Sequence, residues 1–207
     1  GTLYDRHYTF LDAKHPGQGG YEVRTLHSPF GDGRNAILVG GSDRDGVAEA
    51  AGRLVDWLKA SGPRRGALTV GWRMDVRLSS AYQVPDDIQQ VETWSASEGY
   101  GSGGYFGWNP ISKHMALYYM TGDETHAQEF LRLAFPDARA KQELADIAGE
   151  MIENKDAPLS GPYHYNAHEM ILLWDLIEES PAFTDEQRLA VTRAFSQQLL
   201  HRKDEGI

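Results

Sequence analysis

The sequence predicts an α+β protein, with a small N-terminal α/β domain over residues 1–80 and an all-α domain of antiparallel helical hairpins over residues 110–207. Three observations predict it. Strand-like alternation and short apolar runs are confined to the first 80 residues. Apolar residues at helical spacing dominate beyond residue 110. Between them, residues 81–109 carry little periodicity of either kind and form a Gly- and aromatic-rich connecting loop.

Taken in order, residues 21–26 (YEVRTL) alternate as a strand, and residues 36–39 are a short apolar run ending in Gly40-Gly41. Ser42 and Asp43 are N-cap candidates for a helix in which Val47, Ala50, Ala51, Leu54, Val55 and Leu58 recur at helical spacing; Ser61-Gly62-Pro63 ends it. Residues 67–78 (ALTVGWRMDVRL) supply a further strand, so that the helix covers one face of a small sheet. Five amphipathic segments follow, at residues 111–120, 124–135, 138–152, 166–178 and 185–201, separated by turn signals such as Thr121-Gly122-Asp123, Pro136-Asp137 and Pro181. Thr184 caps the last of them and Gln187 completes a capping box. On these helices His114 and His126 read as single packing residues and Glu178 and Glu179 as solvated. Asp146, Glu150 and Glu153 fall on an exposed face, and His201-Arg202-Lys203 suits the negative end of the last helix.

A chain of 207 residues with 41% hydrophobic content can bury one good core or two small ones. Its formal net charge of −10, from 30 acidic and 20 basic residues, argues against nucleic acid as a partner, because a basic face supplies most of that affinity. Without cysteine there are no disulfides and no thiolate metal sites, and the compartment stays open. No apolar run reaches the length of a membrane span. Gly1-Thr2-Leu3-Tyr4 is no signal peptide, and the chain reads as a mature product or a fragment.

The densest chemistry lies at residues 160–169, SGPYHYNAHE. Tyr163, His164, Tyr165, Asn166, His168 and Glu169 put proton-moving groups, an amide and a carboxylate at the start of a helix, whose free N–H groups favour an anion. The structural alternative is that the tyrosines pack where the helix starts, Asn166 caps it and the histidines satisfy backbone carbonyls. A second candidate surface is residues 99–109, GYGSGGYFGWN, in which Tyr100, Tyr105 and Trp108 offer flat apolar faces for sugar rings; Trp94 extends the set. The alternative there is a connector whose aromatics pin it to the helices. His164 and His168 stand four apart, but the helix begins between them and no third ligand is evident, so no metal is expected. The glycine turn at residues 40–41 has neither GxxxxGK[ST] nor GxGxxG, and no cofactor is expected.

Residues 35–58, NAILVGGSDRDGVAEAAGRLVDWL, resemble the strand-Gly-Gly-Ser-Asp-helix unit of the small accessory domain that precedes the catalytic domain in family 20 β-hexosaminidases and α-glucuronidases. The helical half resembles, in its helix pattern, the opening of an (α/α) toroid such as those of polysaccharide lyases and several glycoside hydrolases. That resemblance implies a carbohydrate-active protein in which an Asn neutralises a uronate carboxylate, a His or Tyr acts as base and a Tyr as acid. Residues of those types stand here as Tyr163, His164, Tyr165, Asn166 and His168. A complete toroid has more helices than this chain, so further sequence, a second chain or self-association is implied.

The expected function is therefore processing of a polysaccharide or oligosaccharide, with uronate β-elimination ahead of two alternatives. One is a glycoside hydrolase that uses a carboxylate pair drawn from Glu169 or Asp175 and a second acid across a cleft. The other is a noncatalytic structural or assembly protein with an enzyme-derived architecture. Polysaccharide processing implies a secreted or periplasmic protein.

Overall fold

The computed structural model describes residues 11–64, 67–85, 87–91, 108–147, 154–159 and 164–204. It is an α+β structure, with a three-stranded antiparallel sheet in the N-terminal part and a mostly helical C-terminal part. The described residues fall into two compact units. The first takes the chain as far as Gln83 together with Met120–Gly122 and Glu179–Pro181; the second holds the remainder.

In the first unit, β1 (Tyr21–Leu26) is the central strand, paired antiparallel with β2 (Ala36–Gly41) on one side and β5 (Met74–Arg77) on the other. The register sets Val23 opposite Val39 and Asp75. Helix α1 (Arg44–Ser61) follows β2, and a two-stranded ribbon of β3 (Pro63–Arg64) and β4 (Ala67–Leu68) precedes β5. The strand expected over residues 67–78 is thus divided. Ala67–Leu68 turns back on β3, and only Met74–Arg77 joins the sheet. At Arg73 the ladder ends: its carbonyl still accepts from the Thr25 N–H at 2.9 Å, but its own N–H donates to the Thr25 hydroxyl at 3.0 Å.

Every residue of β1 is buried. Tyr21 and Val23 point to one face, where they pack with Ala50 of α1, and Val39 and Trp57 close over them. Glu22 and Arg24 alternate to the other face, each only 1% exposed, and His15 Nε2 lies 3.3 Å from Glu22 Oε1. The stripe that α1 turns inward is Gly46 and Ala50 with Trp57; of the expected set Ala50 is buried, whereas Val47 and Val55 are exposed. Close approach of backbone explains the difference. A Cβ on Gly46 would collide with the Gly20 carbonyl, so only glycine lets the first turn of α1 sit there.

The Gly40-Gly41-Ser42-Asp43 turn is a clasp. Ser42 Oγ accepts from Gly17 N–H at 2.9 Å, Asp43 Oδ2 from Gly19 N–H at 2.9 Å, and Asp43 Oδ1 from Gly46 N–H at 2.8 Å. Asp43, rather than Ser42, is the N-cap. Its carboxylate fills the position an external anion would take at this helix start. Glu179 corrects another expectation. It is buried, not solvated, and its Oε1 accepts from the His27 N–H at 2.6 Å, because the strand end at Leu26 leaves that N–H without a ladder partner.

In the second unit, α2 (Pro110–Thr121), α3 (Glu124–Ala134), α4 (Ala138–Ile147), α5 (His164–Ile177) and α6 (Asp185–Asp204) follow one another. Asn109 caps α2, its Oδ1 accepting from the N–H groups of Ile111 and Ser112 at 2.8 and 3.0 Å, with Pro110 as the first helical residue. Gly122, at φ 69°, ends that helix in the left-handed region, and Asp123 caps the next. Nearly every residue of α2 is buried, which makes it the central helix. The core is aromatic: Phe183 stands 5.8 Å from Tyr118, 6.1 Å from Phe130 and 5.3 Å from Trp174, ring centre to ring centre. Before α6 the capping box forms as expected, Thr184 N–H donating to Gln187 Oε1 at 2.8 Å and Gln187 N–H to Thr184 Oγ1 at 3.2 Å. Among the described residues no helix is long and apolar enough to cross a membrane.

Candidate functional site

Helix α5 begins at His164, so His164, Tyr165 and Asn166 occupy its first turn and His168 and Glu169 the next. His168 is exposed and Glu169 half-buried. Tyr163 lies outside the described residues, as do Trp94, Tyr100 and Tyr105 of the aromatic segment. Trp108 is described; it is half-buried, immediately before the cap of α2.

One of the singled-out segments reaches α5 just beyond the other. Asn109 Nδ2 lies 3.7 Å from Met170 Sδ in the buried interior of the second unit. Asn109 is the last residue of the Gly/aromatic stretch, and Met170 directly follows Glu169, so the contact sets the backbone of Trp108 and of Glu169 one residue to either side. The thioether is a weak acceptor, but the amide's other atom is already committed to the α2 cap, which fixes the orientation of the Asn109 side chain. Sequence reading missed this role, although Asn-Pro followed by Ser112 at the third helical position carries the signal of a capped start.

Glu169 and Asp175 cannot supply both carboxyl groups of a hydrolase from α5 alone. Six residues at about 100° each put them on different sides of the helix, about 9 Å apart along its axis. Asp175 is exposed.

A second polar site lies between α2 and α3. His114 and His126 are not single packing residues: their Nδ1 atoms are 3.0 Å apart. The buried His114 ring is pushed down to about 4, first by desolvation and then by the charge of His126. Close by, Arg132 bridges Glu129 and Glu143 at 2.7 and 2.9 Å. Hydrogen bonding to Arg132 holds the Glu129 carboxyl below its usual range. Spacing along one helix does not reveal a pair made across two, which is why the sequence separates these histidines. Among the described residues, no group of three or more His, Asp or Glu side chains gathers as a metal site would.

No protein-family model, curated protein or solved structure matches this chain.

Proposed function

We propose that the protein processes a polysaccharide or oligosaccharide, with β-elimination from a uronate as the reaction. The observation that supports this reading is the Asn109–Met170 contact, which joins the last residue of the Gly/aromatic stretch to α5 one residue beyond Glu169. Trp108, half-buried immediately before Asn109, offers an aromatic face for a sugar ring. Elimination removes a weakly acidic proton next to a carboxylate, so the carboxylate charge needs a partner and a base must reach the proton. Asn166, in the first turn of α5, is assigned the first need; it stands about 200° round the helix from His168, so the two serve one substrate only if it spans the helix start. His168, exposed one turn later, serves the second, with His164 as the other candidate base. Tyr163 or Tyr165 protonates the leaving oxygen. Glu169 follows His168 in the chain and is half-buried.

The test is an assay of the full chain on uronate-containing polysaccharides, following absorbance of the unsaturated product. Wild type is expected to generate product and His168→Ala to lose it. Wild-type inactivity across the panel, equal to that of the variant, sinks the reading.

A noncatalytic assembly protein is the second reading, favoured by Leu172 on α5 and Leu189, Leu199 and Leu200 on α6, each about half exposed or more. Native mass spectrometry separates the two: a large homopolymer supports assembly, and a strict monomer removes it.

A further inference from the structure

His114 and His126 face each other head-on. Their Nδ1 atoms are 3.0 Å apart, the ordinary length of an N–H···N hydrogen bond, while the ring centres are 5.2 Å apart and the planes tilted by 40°. With centres that far apart, the two nitrogens lie close to the line joining them. Imidazoles that share an ion instead aim their lone pairs at a third point about 2.0–2.1 Å from each nitrogen. With the nitrogens 3.0 Å apart, as here, that arrangement would bring the ring centres to about 4.7 Å.

A head-on pair of this kind needs one N–H and one lone pair. It accommodates a neutral pair, and it accommodates a single charge on the donor ring. Two charges put N–H against N–H and set two cations face to face.

We propose that His114 and His126 form an acid-sensitive clasp between α2 and α3, closed while the pair holds at most one extra proton and opened by the second. His114 is the buried ring of the two and His126 the half-buried one. The charged groups acting on His114, besides His126, are Glu129 and Arg132 from α3 and Glu143 from α4, and Asp123 stands at the cap of α3 near His126. The two glutamates favour a charge on His114, but both are ion-paired to Arg132, which opposes it. Burial therefore decides, and His114 stays neutral until about pH 4. The sign follows from linkage. Between the ordinary histidine value of 6.5 and about 4, the unfolded chain binds a proton that the folded chain refuses, so stability falls with pH through that window and levels off below it. The clasp is independent of the carbohydrate reading.

The experiment is nitrogen NMR of the imidazole rings in the full-length protein from neutral pH to below pH 4, with melting curves of wild type, His114→Asn and His126→Asn. Asparagine keeps a hydrogen-bonding atom near the Nδ1 position and removes the titration. The expected results are one protonated and one bare Nδ1 at neutral pH and loss of ring-to-ring contacts near pH 4. The melting temperature of wild type should drop more steeply between pH 6.5 and 4 than that of His114→Asn. Two imidazoles titrating independently near their ordinary value overturn the proposal, as does the same pH dependence in wild type and His114→Asn. If His114→Asn does not fold, the wild-type NMR titration decides, and His126→Asn should raise the pH at which His114 takes its proton.

Discussion

Gly46, in the first turn of α1, lies against the carbonyl oxygen of Gly20 so closely that no Cβ fits between them. The obstacle is backbone, which cannot swing aside as the end of a side chain would. Gly46→Ala should therefore destabilise the protein by about 1–3 kcal/mol or more, even though alanine is the better helix former. Urea unfolding measures it; an unchanged or raised midpoint would show that the turn can move.

Asp43 makes the same clasp sensitive to strong acid. Its hydrogen bonds from Gly46 and then Gly19 hold the carboxyl below its usual 3.8. A carboxyl depressed in the folded state stabilises above its unfolded value and loses that contribution as pH falls through the folded one. Asp43→Ala should melt below wild type at neutral pH, and the gap should narrow once the pH drops under 3.8. A gap that stays constant down to pH 2 would mean that the charge is immaterial.

Phe183 joins three helices through its contacts with Tyr118, Phe130 and Trp174, and it is 3% exposed. Phe183→Ala should cost about 3–5 kcal/mol, and Phe183→Leu clearly less, because leucine refills most of the volume. Near-ultraviolet circular dichroism during urea unfolding reads both. A loss under about 1 kcal/mol for the alanine variant would contradict the packing role.

For the proposed elimination, His168→Ala should lower kcat by about 10²–10⁴-fold, the usual worth of a positioned base. Asn166→Ala should lower it by about 10²–10³-fold, as expected for loss of one donor to a developing anion. His168 is exposed, so its variant should fold as wild type. A rise in KM alone, with kcat intact, would reassign either residue to binding.

Local signals carried most of the fold. The Thr184 to Gln187 capping box, the cap at Asp43 and the stop at Gly122 each depend on residues within one turn, and each stands where its residues predict. What the sequence hid are relations across elements. Which face of α1 turns inward was settled by the backbone of Gly20, not by α1's own apolar spacing, so Val47 ended outside and Trp57 inside. Likewise the partner of His114 stands on another helix, and the partner of Glu179 on a strand far back in the chain. At the candidate site, the start of α5 was legible to within two residues, whereas the Asn109–Met170 contact was not, because 61 residues separate its members.

The bond from His27 to Glu179 joins positions 152 residues apart. A ribosome finishes the three strands long before it reaches the carboxylate that closes the end of the first. Until then the amide of His27 must bind water, and the nascent sheet waits for a piece delivered late. Cutting the gene after residue 83 would deliver the strands without that piece.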